Sequence, residues 1–140
     1  MLLTIHNANK IIRKVKMKNT CLFFQKMNLN NLTLISYSDA SHANLPDGGS
    51  QGGLYIEVTD GFKHTPIHWQ SKRIRRVVQS SMAAELLALI EAIETTVLVR
   101  EFMGELLFMN KRQIPIKAYI DNKSVFDSVC LPVWLHAHYL

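Results

Sequence analysis

Leu32-Thr33-Leu34-Ile35-Ser36-Tyr37-Ser38 reads as a β-strand, with apolar, β-branched and aromatic residues interleaved, and it closes on Asp39. A second stretch of the same kind, Ile116-Lys117-Ala118-Tyr119-Ile120, also runs into an aspartate, Asp121. Between them the run from Ser41 to Gly53 is dense in Gly, Asn, Asp and Pro and reads as a loop. Gly53 to Val58 then reads as a strand, Asp60-Gly61 as a hairpin turn, and Pro66 to Gln70 as the strand returning beside it. A long helix is expected from about Ser81 to Met103, capped by Ser80 or Ser81 and ending near Gly104. Asn122 to Val129 suggests a short last helix. Three strands, a helix, a strand and a helix make an α/β order: an antiparallel meander, then a strand that returns parallel to the first, with helices packed on the sheet.

The long helix carries the most informative side chain. At 100° per residue, Glu91, Glu94, Glu101 and Glu105 fall roughly 160° to 240° from Glu85 and form one acidic stripe. Glu85 points the other way, among Ala88, Leu89, Ala92 and Thr96, the face that should press on the sheet. A lone carboxylate there costs several kcal/mol unless a cation or several donors meet it. If the two aspartate-ended strands are parallel neighbours, Asp39 and Asp121 emerge side by side at their carboxyl ends, and Glu85 reaches the same spot. Three acids repel, and a divalent ion resolves the repulsion; oxygen ligands without His or Cys favour magnesium, with manganese acceptable. Singly, Asp39 and Asp121 read equally as turn formers, and Glu85 as a favourable charge at a helix N-terminus.

The chain has 140 residues, of which 48% are hydrophobic, enough for one domain with a core. No apolar run is long enough to cross a membrane, and the start lacks the features of a secretory signal, so an intracellular setting is expected, cytoplasm or nucleus. Cys21 and Cys130 match no metal-ligand spacing and read as free thiols. Residues 1–31 hold six basic side chains and no acid, whereas residues 32–140 hold ten basic and eleven acidic ones. The basic segment reads as a helix from about Asn9 to Lys18, stopped by Asn19, followed by a short strand from Cys21 to Gln25. Lys72, Arg73, Arg75 and Arg76 crowd four charges into five residues; they read either as a solvated loop or as contacts to nucleic-acid phosphates. Asn122 and Ser124 suit either a phosphate contact or a helix cap.

Five spaced blocks carry a family resemblance: Tyr37-Ser38-Asp39-Ala40-Ser41, Ser50-Gln51-Gly52-Gly53, Ile67-His68-Trp69-Gln70-Ser71-Lys72, Ser80-Ser81-Met82-Ala83-Ala84-Glu85 and Tyr119-Ile120-Asp121-Asn122-Lys123-Ser124. In this order they resemble the ribonuclease H domain of copia-type retrotransposon polyproteins, over residues 32–130. The resemblance implies a ribonuclease H-like fold and hydrolysis of the RNA strand of RNA–DNA hybrids with two magnesium ions. Asp39, Glu85 and Asp121 would be both the catalytic and the metal-binding acids, and Ser41 would lie against the nucleic acid with the basic cluster. It further implies that residues 1–31 are the end of a reverse-transcriptase region, a possible partner domain, and that no small-molecule cofactor is used. The family carries a fourth metal-site acid on a later element, whereas here nothing acidic follows Asp127. Residues 131–140 match nothing expected there, so the final strand and helix are expected to be missing and the tail unrelated. A second reading follows: a catalytically inactive remnant that keeps the fold and at most binds nucleic acid. A third, a DNA nuclease of the same broad fold, shares the acids but not the five blocks.

Overall fold

The computed structural model describes residues 2–18, 22–109, 114–129 and 137–139, with the side chains of 2–8, 11 and 137–139 left aside. Along the chain run helix α1 (Leu2–Met17), strands β1 (Thr33–Ser41), β2 (Gln51–Thr59) and β3 (His64–Arg73), helix α2 (Ser81–Leu106), strand β4 (Ile116–Ile120), helix α3 (Lys123–Val129) and strand β5 (Ala137–Tyr139). The strands form one sheet in the order β3-β2-β1-β4-β5. β1 pairs antiparallel with β2 and parallel with β4, and β3 pairs antiparallel with β2. This is the mixed α/β sheet expected from the sequence, an antiparallel meander followed by a strand parallel to the first.

One face of the sheet makes the core. Leu34, Leu54, Ile56 and Val58 pack with Ala92 of α2, while Ala118 and Ile120 meet Leu89 of α2 and Val125 of α3. The residues alternating with these, Tyr37, Tyr55, Trp69 and Tyr119 among them, stand on the opposite face, which neither α2 nor α3 covers. Ser80 caps α2 by accepting the Ala83 N–H at 3.1 Å. The β2–β3 turn closes on Gly61 at φ +93°, a conformation that favours glycine, and Asp60 Oδ1 accepts the N–H groups of Phe62 and Lys63.

Several details depart from the sequence expectations. β1 continues past Asp39 to Ser41, because Asp39, Ala40 and Ser41 still find partners in Gly53, Gly52 and Gln51. Gly104 lies within α2, whose last turn is closed by Leu107 donating to Met103. α1 starts at Leu2 rather than Asn9, and its Ile12 and Val15 remain exposed. Residues 22–28 form no strand, while Asn19, Cys21 and Cys130 lie outside the described residues. The final strand expected to be missing is present in short form: β5 pairs parallel with β4, Ala137 opposite Ala118 and Tyr139 opposite Ile120. The physical reason is that β4 would otherwise expose a row of unpaired backbone groups, and three residues suffice to pair with them. Among the described residues no helix is long and apolar enough to cross a membrane.

Candidate active site

The parallel register of β1 and β4 places Ser38 opposite Ile120, so that the next residues, Asp39 and Asp121, stand as neighbours where the pairing of these two strands ends. Glu85 comes from the N-terminal end of α2, on the face buried against the sheet. One carboxylate oxygen from each of Asp39, Glu85 and Asp121 lies within 4.8 Å of the others. Asp39 and Asp121 are exposed and Glu85 is buried. The three acids expected to converge therefore do converge, from three separate elements. Asp127, on α3, is not part of the group.

Burial pushes the Glu85 carboxyl up to about 7, and the negative charges of Asp39 and, more weakly, Asp121 push the same way, while a hydrogen bond from the Ala40 N–H opposes them. Its second oxygen, Oε2, is buried without any hydrogen-bond partner. Among the described residues no basic side chain pairs with any of the three acids. An orphaned buried oxygen beside two further carboxylates is the donor set of a hard divalent cation. Oxygens on one magnesium stand at most about 4.2 Å apart, twice its bond length, and the 4.8 Å spread of the three oxygens is about 0.6 Å wider than that span.

The flanking candidates divide. Lys72 Nζ donates to Glu91, and Arg73 Nη1 donates to Asp47, whose carboxyl is held below its usual range chiefly by that bond. Arg73 also lies against Gly49: a Cβ there would come within 2.8 Å of Nη2. Arg73 thus pins the loop between β1 and β2 instead of standing free for a phosphate. Arg75 and Arg76 are exposed, make no hydrogen bond or ion pair among the described residues, and line a cleft of about 480 Å³ between the end of β3 and α2. Asn122 acts as a helix cap, Oδ1 accepting the Val125 N–H at 3.1 Å. Ser41 and Ser124 are exposed, and the Ser124 carbonyl accepts from Ser128 Oγ. His42, left without a role by the sequence, meets the Val78 carbonyl at 3.1 Å and ties the β1–β2 loop to the segment before α2.

Sequence reasoning missed a second feature beside the acids. A groove of about 380 Å³ joins Asp39 and Asp121 to Tyr37, Tyr55, Gly53 and Gln70. Tyr37 and Tyr119 stand two residues before the two aspartates, a repeated spacing that was available as a signal.

No protein-family model matches the chain, and no curated protein matches it. Among solved structures it is similar to an RNase H1 isolated from compost by a metagenomic approach, with 21% identity, a TM-score of 0.45, and coverage of 74% of this chain and 63% of that one. It is similar also to the N-terminal RNase H domain of a Mycobacterium tuberculosis protein, with 17% identity, a TM-score of 0.46, and coverage of 74% and 63%. A foamy viral protease-reverse transcriptase in complex with RNA/DNA hybrid matches at 16% identity and a TM-score of 0.45, over 82% of this chain and 14% of that one. The chain thus spans 63% of the length of the first two, and the reading of its activity rests on the geometry of its acids.

Proposed function

We propose that the chain carries a metal-dependent endonuclease site that hydrolyses the RNA strand of RNA–DNA hybrids, within a retrotransposon polyprotein of the copia type. The observation that carries this is the meeting of Asp39, Glu85 and Asp121 within 4.8 Å, with one Glu85 oxygen buried and unpartnered. The choice of hybrid as substrate comes from the five sequence blocks. Two magnesium ions, when bound, would supply an activated water and neutralise charge on the leaving oxygen. The chain's own part is to hold three carboxylates at fixed positions. Ala40 orients Glu85 through its N–H, and the backbone pairing of β1 with β4 keeps Asp39 beside Asp121. Of the cluster Lys72, Arg73, Arg75 and Arg76, the last two are exposed and unpaired among the described residues and are the ones proposed to meet phosphates of the substrate. Residues 1–31 belong in this reading to the end of a reverse-transcriptase region, and the ribonuclease H-like domain of 32–130 is extended by β5, which adds Ala137–Tyr139 to its sheet.

A second reading, a chain that keeps the fold and binds nucleic acid without cutting it, is favoured by one observation: among the described residues no fourth acid joins the group. The test is cleavage of end-labelled RNA in a hybrid with magnesium, beside duplex DNA and an Asp39→Asn control. Cleavage of the hybrid alone, lost in the control, supports the nuclease. Binding without cleavage supports the second reading, and cutting of duplex DNA contradicts both.

A further inference from the structure

The pairing of the strands sets Trp69 of β3, Tyr55 of β2, Tyr37 of β1 and Tyr119 of β4 opposite one another, an aromatic row across the sheet. Glu57 stands beside this row, two residues after Tyr55 on β2, and is only 8% exposed. It is not one of the three converging acids, and among the described residues no lysine or arginine pairs with it. A carboxylate buried in this way is costly unless donors meet it. Here three do. His64 Nδ1 meets Oε1 at 2.9 Å, the Tyr37 hydroxyl donates to Oε1 at 3.4 Å, and the Tyr55 hydroxyl donates to Oε2 at 3.5 Å. His64 is held in turn from its far side, Nε2 lying 3.5 Å from Thr59 Oγ1, which accepts the Gly61 N–H at 2.9 Å.

We propose that Glu57 is a positioning residue for the acid site: it fixes the Tyr37 ring, and Tyr37, through its stack on Tyr119, fixes how far apart β1 and β4 present Asp39 and Asp121. The inference rests on the reading of those acids as a metal site. Three observations carry it. First, Tyr37 and Tyr119 lie 18° from parallel with centroids 5.3 Å apart, whereas Tyr37 and Tyr55 are tilted by 46° at 6.0 Å. Tyr37 therefore stacks toward β4, and its link to β2 runs through the carboxylate that it shares with Tyr55. Second, on the core face of the same stretch β1 offers Ser36 and Ser38 to Ala118 and Ile120, and both serine hydroxyls are buried with no hydrogen-bond partner among the described residues. Small side chains with unbonded hydroxyls grip a neighbouring strand weakly, which leaves the tyrosine stack to hold β1 against β4 just before the acids. Third, the oxygens of the three acids already spread over 4.8 Å, wider than one magnesium spans, so the separation of the two strand ends decides whether they close on a shared cation.

The test compares the full chain with Glu57→Ala, Glu57→Gln and Val58→Ala, the last removing packing from the core face of the same strand. Glu57→Ala is expected to weaken manganese binding at pH 8, read by calorimetry, by about tenfold, the low end for losing a group that orients metal ligands from outside. In the metal-free protein it should also speed amide exchange of residues 38–41 and 119–121, relative to the β2–β3 pairing, by about tenfold, the equivalent of one hydrogen bond to a charged group. Glu57→Gln keeps an acceptor for one tyrosine hydroxyl and a donor for the other, and should restore both readouts. Val58→Ala should lower the melting temperature and leave both readouts unchanged. Manganese affinity and relative exchange within about twofold of the unaltered chain in Glu57→Ala would overturn the proposal, as would losses that Glu57→Gln fails to repair or that Val58→Ala reproduces. If the unaltered chain binds no manganese, the metal reading itself fails, and the exchange alone then decides whether Glu57 positions the strand ends.

Discussion

Tyr37 and Tyr119 stack across the parallel pair β1 and β4, ring centroids 5.3 Å apart and planes 18° from parallel, two residues ahead of Asp39 and Asp121. The stack clamps the two strands at the point where they deliver the acids. A double-mutant cycle on Tyr37→Ala and Tyr119→Ala, followed by denaturant unfolding, should return a coupling of about 0.5–1.5 kcal/mol, the range for an aromatic pair beyond its area burial. Additive single effects would mean that the rings pack independently.

Glu85 gives the protein a pH signature. Its pKa in the folded chain, about 7, lies above its ordinary value of 4.5, so folding favours the protonated form. The stability it contributes is complete below about pH 4.5 and is lost as pH rises through about 7. Glu85→Gln should flatten this stretch of the melting curve against pH and raise the melting temperature at pH 8, without magnesium, by roughly 5 °C. Parallel curves for the two proteins between those pH values would show that the burial and repulsion at Glu85 are relieved in some other way.

Magnesium should act on the same group from the other direction. At pH 8 and a concentration of about 100 times Kd it should stabilise the unaltered chain by about 2.7 kcal/mol. The gain should shrink at pH 5, where Glu85 is protonated, and in Glu85→Gln. Thermal scans at the two pH values read both effects.

Arg73 and its neighbours should separate in a salt titration. Arg75→Ala and Arg76→Ala should each weaken hybrid binding and lower the slope of log K against log salt by about 0.7 to 0.9, as expected when one phosphate contact is lost. Arg73→Ala should leave the slope unchanged and instead loosen the β1–β2 loop that Arg73 holds through Asp47, read as faster amide exchange at residues 43–49. Equal slopes in all three variants would contradict the division.

Much of this was legible in the sequence, and what was not shares a cause. The buried side of α2, Ala84, Glu85, Ala88, Leu89, Ala92 and Thr96, follows helical periodicity, so Glu85 stood out as an acid on an apolar face. Asp39 and Asp121 showed as aspartates closing apolar runs. The extension of β1 to Ser41 was hidden because it depends on Gly52 and Gly53 approaching from another strand. β5 was hidden because three residues carry no period, and their pairing is decided by the open edge of β4. The Arg73–Asp47 pair and the aromatic row belong to the same class. Each joins residues distant in the chain, and only the strand register brings them together.

The most direct measurement is a calorimetric titration of manganese into the full chain at pH 8, repeated with Asp39→Asn, Glu85→Gln and Asp121→Asn. Binding to the unaltered chain, weakened at least about tenfold to a hundredfold in every variant, is the result that three carboxylates sharing a cation require. Equal manganese affinity in all four proteins, or no binding to the unaltered one, would contradict the assignment of Asp39, Glu85 and Asp121 as a metal site.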